Sequence, residues 1–214
     1  TKLEDSAKTY KKGLKGIAVF GSLQVYKIIL SVITTKISAL FLGPAGSGIY
    51  GLISSMLMTS EIIISCGLST SAVKDFSQAQ VSGDNNKISN IYTSLNRLSF
   101  ITGLIGTIVV IIFSSQLSNL AFGSDEYASW LIILAVTILI NQLTSGQGAF
   151  LTGLRRYKLL ARQRLIGGGL SALITGCSYY LLGINGIVPT ILLTSITNLT
   201  VSYLIVRGVK IPNF

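Results

Sequence analysis

The chain has 214 residues, of which 50% are hydrophobic and only 11% charged, against about 25% charged in an ordinary soluble domain. That balance excludes disorder and argues against a soluble fold. Lys and Arg number 17 against 7 Asp and Glu, for a net charge of +10, and only the placement of those charges separates a nucleic-acid surface from a membrane topology signal.

Apolar stretches of bilayer-crossing length, roughly 20 residues per helix, recur from the N-terminus onward. The predicted spans are about 14–38, 46–68, 96–117, 128–151, 165–183 and 187–206. Gly43-Pro44 separates the first from the second, because proline starts a helix but does not continue one. Gly183-Ile184-Asn185-Gly186 divides the long uncharged run 165–206 into two. The expected fold class is all-α, a polytopic membrane protein whose six transmembrane helices form one bundle over residues 1–214.

The first span carries charge where charge is costly. Gln24, Lys27, Ser31, Thr34, Thr35 and Ser38 fall on one helical face. Lys27 lies about 20 Å beyond the predicted inner end, and would cost about 2.5–3.5 kcal/mol facing lipid. It is expected to face either a polar cavity or an ionic partner. Lys36, on the other side near the outer end, is expected to snorkel. Glu61, flanked on its face by Ser54 and Ser65, is the one acid inside a predicted span. Counted from an inner exit near Ser69 it is about 12 Å deep, near the level of Lys27. Two roles are open for it: a salt bridge to Lys27 that locks two helices, or a carboxylate that titrates and couples transport to a proton or sodium gradient.

After the second span comes a polar stretch from Lys74 to Arg97 with a turn at Gly83-Asp84-Asn85-Asn86. Ala72, Val73 and Phe76 before that turn have the spacing either to extend the second helix or to lie on the membrane surface. The fourth span holds Asn141, Gln142, Thr144, Ser145 and Gln147, which can serve as interhelical packing bonds or as contacts for sugar hydroxyls. A basic loop from Arg155 to Arg164 follows; it orients the chain, and Arg155 and Arg156 can attract phosphate head groups at the inner face. Gly167-Gly168-Gly169 has neither a preceding strand nor a phosphate-loop lysine, so close helix packing is expected instead of nucleotide binding.

Placing the N-terminus inside puts every Lys and Arg except Lys27 and Lys36 on the inner side, while an outer loop holds Asp125 and Glu126. This is the positive-inside pattern, so the +10 charge faces anionic lipid and no nucleic-acid partner is expected. The chain has no histidine; Cys66 and Cys177 fall in predicted spans, and the inner carboxylates Glu4, Asp5, Asp75 and Asp84 form no paired motif for magnesium. No catalytic residue, metal site or cofactor is expected, nor a disulfide. Lys27 interrupts the first apolar stretch, against a cleaved signal peptide. Because it starts at Thr1 and ends just past the last span, the chain reads as part of a longer protein.

The segment Phe41-Leu42-Gly43-Pro44-Ala45-Gly46-Ser47-Gly48-Ile49-Tyr50-Gly51-Leu52 resembles the first outer turn of the O-antigen and polysaccharide flippases, the lipid-linked oligosaccharide translocases of the multidrug/oligosaccharidyl-lipid/polysaccharide exporter superfamily. Ala72-Val73-Lys74, the Gly83-Asp84 turn and Gly153-Leu154-Arg155-Arg156-Tyr157 continue the likeness. The resemblance implies the N-terminal six-helix bundle of a two-bundle transporter, with a missing C-terminal bundle as partner. It also implies a bacterial cytoplasmic (inner) membrane, both ends of the chain cytoplasmic, and an undecaprenyl-pyrophosphate-linked glycan moved between leaflets by alternating access. On that reading Lys27 meets the pyrophosphate, Gln24, Asn141 and Gln142 contact sugars, and Glu61 is the coupling site. The alternatives are a drug or small-cation exporter of the same superfamily and a non-transporting membrane scaffold.

Overall fold

The computed structural model describes residues 2–209, all of whose regular elements are helical. The first element, α1 (Lys2–Ser65), is two helices joined at Gly43, whose φ of 67° and ψ of −176° lie outside the helical region. Only glycine adopts that conformation without strain, and Pro44 then starts the second helix. Next come α2 (Leu68–Ser82), α3 (Asn85–Ile112), α4 (Ser114–Phe122), α5 (Ala128–Gly153) and α6 (Tyr157–Leu182). A 3-10 turn at Gly183–Gly186 leads into α7 (Ile187–Arg207).

Four stretches are long and apolar enough to cross a membrane: Gln24–Ser65, Asn85–Ile112, Ala128–Gly153 and Tyr157–Arg207. The first contains the Gly43 break and the last contains the 3-10 turn, at the two places where glycine and proline predict interruptions. Lys210 and both chain ends lie outside the described residues, as do the side chains of the N-terminal lysines.

Three expectations need correction. The polar stretch after the second span is mostly helix: α2 forms between Gly67 and Gly83, both left-handed (φ 72° and 68°), and α3 begins at Asn85, eleven residues before the predicted third span. Asp84 caps α3 by accepting the Lys87 backbone N–H at 3.0 Å. The basic loop is also shorter than expected. A Schellman-type turn ends α5, with Arg155 left-handed at φ 54° and the N–H groups of Arg155 and Arg156 donating to the carbonyls of Thr152 and Leu151. Helix α6 then starts at once, so Lys158, Arg162 and Arg164 are helical. Charged residues end an apolar run but not a hydrogen-bonded backbone, which carries a membrane helix past the bilayer edge. The third concerns Cys66, which sits at the α1–α2 break with φ 42° and is exposed, as is Cys177; both are free thiols.

Two apolar clusters hold the bundle. At the basic end, Ala72, Phe76 and Ala79 of α2 pack with Tyr92, Phe150 and Leu160. Their spacing of four and three residues puts one face of α2 on the core, so α2 belongs to the bundle. At the opposite end, Leu42 and Ile53 pack with Val110, Ile138, Tyr179 and Ile187. Glycines permit the closest approaches. A Cβ on Gly153 would lie 2.4 Å from the Phe76 Cβ, and one on Gly46 would lie 3.0 Å from Ile184.

Candidate functional site

Beside the basic-end cluster and reaching to the middle of α5, a cleft of about 620 Å³ opens between α2, α5, α6 and α7. On α5, Asn141, Thr144, Ser145, Gly148 and Thr152 line it. These positions recur every three or four residues and form one stripe along the helix. Ser69 and Thr70 face them from the start of α2, and Gln163, Arg164 and Asn198 from the α6–α7 hairpin.

Each polar wall is fixed by a cross-helix bond. The Ser69 and Ser145 hydroxyls lie 2.8 Å apart. Asn198 Nδ2 donates to Ser171 Oγ at 3.1 Å, and Gln163 Nε2 donates to Ser202 Oγ at 2.8 Å. The hairpin can close this tightly because Gly167 has no side chain; a Cβ there would sit 2.4 Å from Asn198 Oδ1. Gln163 is 9% exposed and its Oε1 accepts no hydrogen bond. A buried acceptor of this kind leaves bonding capacity for a donor entering the cleft.

Glu61 stands at the upper edge of this polar zone. Its Oε1 accepts from Asn141 Nδ2 at 2.7 Å, a charge-assisted bond if the carboxylate is ionised. Among the described residues no ion pair or hydrogen bond holds Lys27, so Glu61 is paired with an amide and not with that lysine. Its depth also differs from the sequence estimate. Asn141 is midway along the 26-residue α5, which puts Glu61 about 20 Å from the basic end of that helix and not about 12 Å. The shorter figure took Ser69 as the point of exit, whereas Ser69 bonds Ser145 well inside α5.

The remaining predicted residues divide. Gln24 and Lys27 are exposed on the first half of α1 and do not line the cleft. The polar face they share splits: Ser38 is buried and Thr34 donates to the Leu30 carbonyl at 2.9 Å, while Ser31 and Thr35 border a shallow hollow with Lys36. Gln142 is 4% exposed, bonds Thr102 of α3 at 3.3 Å and is a packing amide outside the cleft. Arg155 and Arg156 are exposed in the turn after α5. Arg164 is the cation that sequence reasoning missed as a cleft residue, because it was counted with the loop. Among the described residues no group of three or more His, Cys, Asp or Glu could hold a metal ion.

The family model described as polysaccharide biosynthesis protein matches residues 14–214, nearly the whole chain. No curated protein matches the chain, and no solved structure does. The chain belongs to the polysaccharide biosynthesis protein family.

Proposed function

From this membership in a polysaccharide biosynthesis family, we propose that the protein is a flippase that moves an undecaprenyl-pyrophosphate-linked oligosaccharide from the inner to the outer leaflet of a bacterial cytoplasmic membrane. It acts as a carrier and performs no bond chemistry of its own. The observation that carries this reading is the cleft: hydroxyls, amides and one guanidinium, set among Val73, Ala149 and Leu160, line a space in an otherwise apolar helical bundle. Polar and charged residues inside a membrane bundle are costly, and by default they mark a substrate pathway. Sugars need many neutral hydrogen-bonding groups, and a pyrophosphate needs a cation; Asn141, Asn198 and Arg164 supply both.

In this proposal the chain crosses the membrane six times with both ends cytoplasmic, the Gly43 break and the 3-10 turn serving as outer turns. It forms one of two bundles related as parallel repeats, with the substrate between them. Lys27 and Gln24 face the space that the second bundle closes, which gives an exposed lysine in a membrane helix a reason to be there. Glu61, bonded to Asn141 at the cleft edge, is the coupling site for a proton or sodium gradient.

The test is export of surface polysaccharide by the full-length protein in a flippase-deficient cell. Arg164→Ala and Lys27→Ala are each expected to reduce export at least tenfold with normal protein levels in the membrane. Lys27→Arg should retain part of it, because the charge is kept though its geometry changes. Wild-type export from the Arg164→Ala variant would remove the cleft from the transport route.

A further inference from the structure

The α6–α7 hairpin has two sides. Gln163, Asn198 and the Gln163–Ser202 bond face the cleft, while on the other side Leu159, Arg162 and Ile166 of α6 and Val201, Leu204, Ile205 and Gly208 border a groove of about 410 Å³. Its positions repeat every three or four residues on both helices, so the groove follows the hairpin lengthwise toward the basic end. Every lining residue but Arg162 is apolar or glycine. Leu204 is 61% and Ile166 39% exposed, as side chains bordering lipid tails are.

Arg162 is the polar feature of this groove. It stands five residues into α6, about 8 Å from the helix start, a depth that matches the boundary between head groups and tails in the leaflet at the basic end. Lys158 lies one turn nearer that end on the same face of α6, and Arg207 closes α7 at the same level. Among the described residues no ion pair or hydrogen bond engages any of the three. No Asp or Glu occurs after Glu126, so neither α6 nor α7 carries an acid that could pair with them. The result is an apolar channel with unneutralised cations at its head-group end.

We propose that this groove is a binding site for an anionic glycerophospholipid, separate from the substrate cleft, with the phosphate on Arg162 and an acyl chain along Ile166, Val201 and Leu204. A basic pocket between transmembrane helices favours anionic over zwitterionic head groups, and the groove adds a place for the chain. Occupancy fastens the outer face of the α6–α7 hairpin, whose inner face forms one wall of the cleft. This assignment does not rest on the transported substrate, and it holds or fails whatever the cleft carries.

The experiment uses the full-length protein, purified in a neutral detergent and delipidated, and measures the unfolding temperature as lipid is added. Phosphatidylglycerol should raise it by several degrees, and phosphatidylcholine or inorganic phosphate should not. Arg162→Ala should abolish the shift, whereas Lys74→Ala, on α2, should leave it intact. Ile166→Trp, which fills the groove while keeping Arg162, should also abolish it and serves if the arginine variant does not fold. Equal shifts with phosphatidylcholine, or an undiminished phosphatidylglycerol shift in both groove variants, would overturn the proposal. So would a shift produced by undecaprenyl phosphate but not by phosphatidylglycerol, since the groove would then belong to the substrate lipid.

Discussion

A carboxylate level with the middle of a membrane helix needs a donor facing it, and Asn141, midway along α5, provides one for Glu61 at 2.7 Å. An interhelical bond of this kind stabilises by only about 0.6 kcal/mol on average, so its loss should scarcely alter how much protein reaches the membrane. Glu61→Gln keeps an oxygen able to accept from Asn141 but can no longer ionise. If Glu61 couples transport to an ion gradient, this variant should be present at normal levels and fail to export; full export would end that role. Because the partner is an amide, the double change Lys27→Ala with Glu61→Ala should not recover export lost in Lys27→Ala, as it would for a mutual salt bridge. Glu61 and Asn141 stood out in the sequence as polar residues inside predicted spans, but nothing there told Asn141 from Gln142. Neighbouring positions differ by about 100° around a helix, and a bundle helix apolar on nearly every side gives no strong stripe from which to assign its inward face.

Helix α2 shows what happens when charge is used to mark the end of an element. Lys74 and Asp75 interrupt the hydropathy of the second span, yet Phe76 between them and Ala79 is fully buried and stacks edge-on with Phe150 at 5.2 Å. Phe76→Ala should destabilise the bundle by about 3–5 kcal/mol, the usual cost of truncating a buried aromatic, seen as a lower unfolding temperature in detergent and reduced membrane levels. Gly153→Ala attacks the same contact from α5. Its added methyl would meet the Phe76 Cβ and, at 3.1 Å, the Val73 carbonyl, and the overpacking should cost about 1–3 kcal/mol by the same assay. Glycine and proline were legible in the sequence as breaks at Gly43 and Gly183 because glycine opens conformations closed to other residues and proline removes a backbone donor. The left-handed turn at Arg155 was not, since the residue there is one that does not ordinarily favour it.

At the scale of the whole molecule, the basic end and the end bearing Asp125 are opposite poles of one bundle. The acid is held in place there, accepting from Ser115 Oγ at 2.5 Å and Asn119 Nδ2 at 2.6 Å, beside the aromatic group Phe122, Tyr127 and Trp130. Aromatic residues of this type favour the membrane–water boundary. Single cysteines substituted at Asp125 and Arg156 in a cysteine-free background should therefore react with an impermeant thiol reagent from outside and only after permeabilisation, respectively. The reverse pattern would invert the topology. The all-helical bundle and its membrane character were readable from hydropathy and charge because lipid forces both on the sequence. The cleft was not, since it arises where stripes from four helices, separated by up to 129 residues between Ser69 and Asn198, meet in space.

The break in α1 has a mechanical consequence. Its first half is attached to the second through the dihedral angles of Gly43 alone, and apart from that junction it is held sideways: Tyr26 donates to the Leu165 carbonyl at 2.9 Å, and Leu30 rests against Gly168. No loop takes up slack between the two halves. Any change in the angle between the two halves thus falls on that one residue, within what the packing of the leading helix on α6 through Tyr26, Leu30 and Phe41 permits, and it could be followed with one pair of spin labels, one on either side of Gly43.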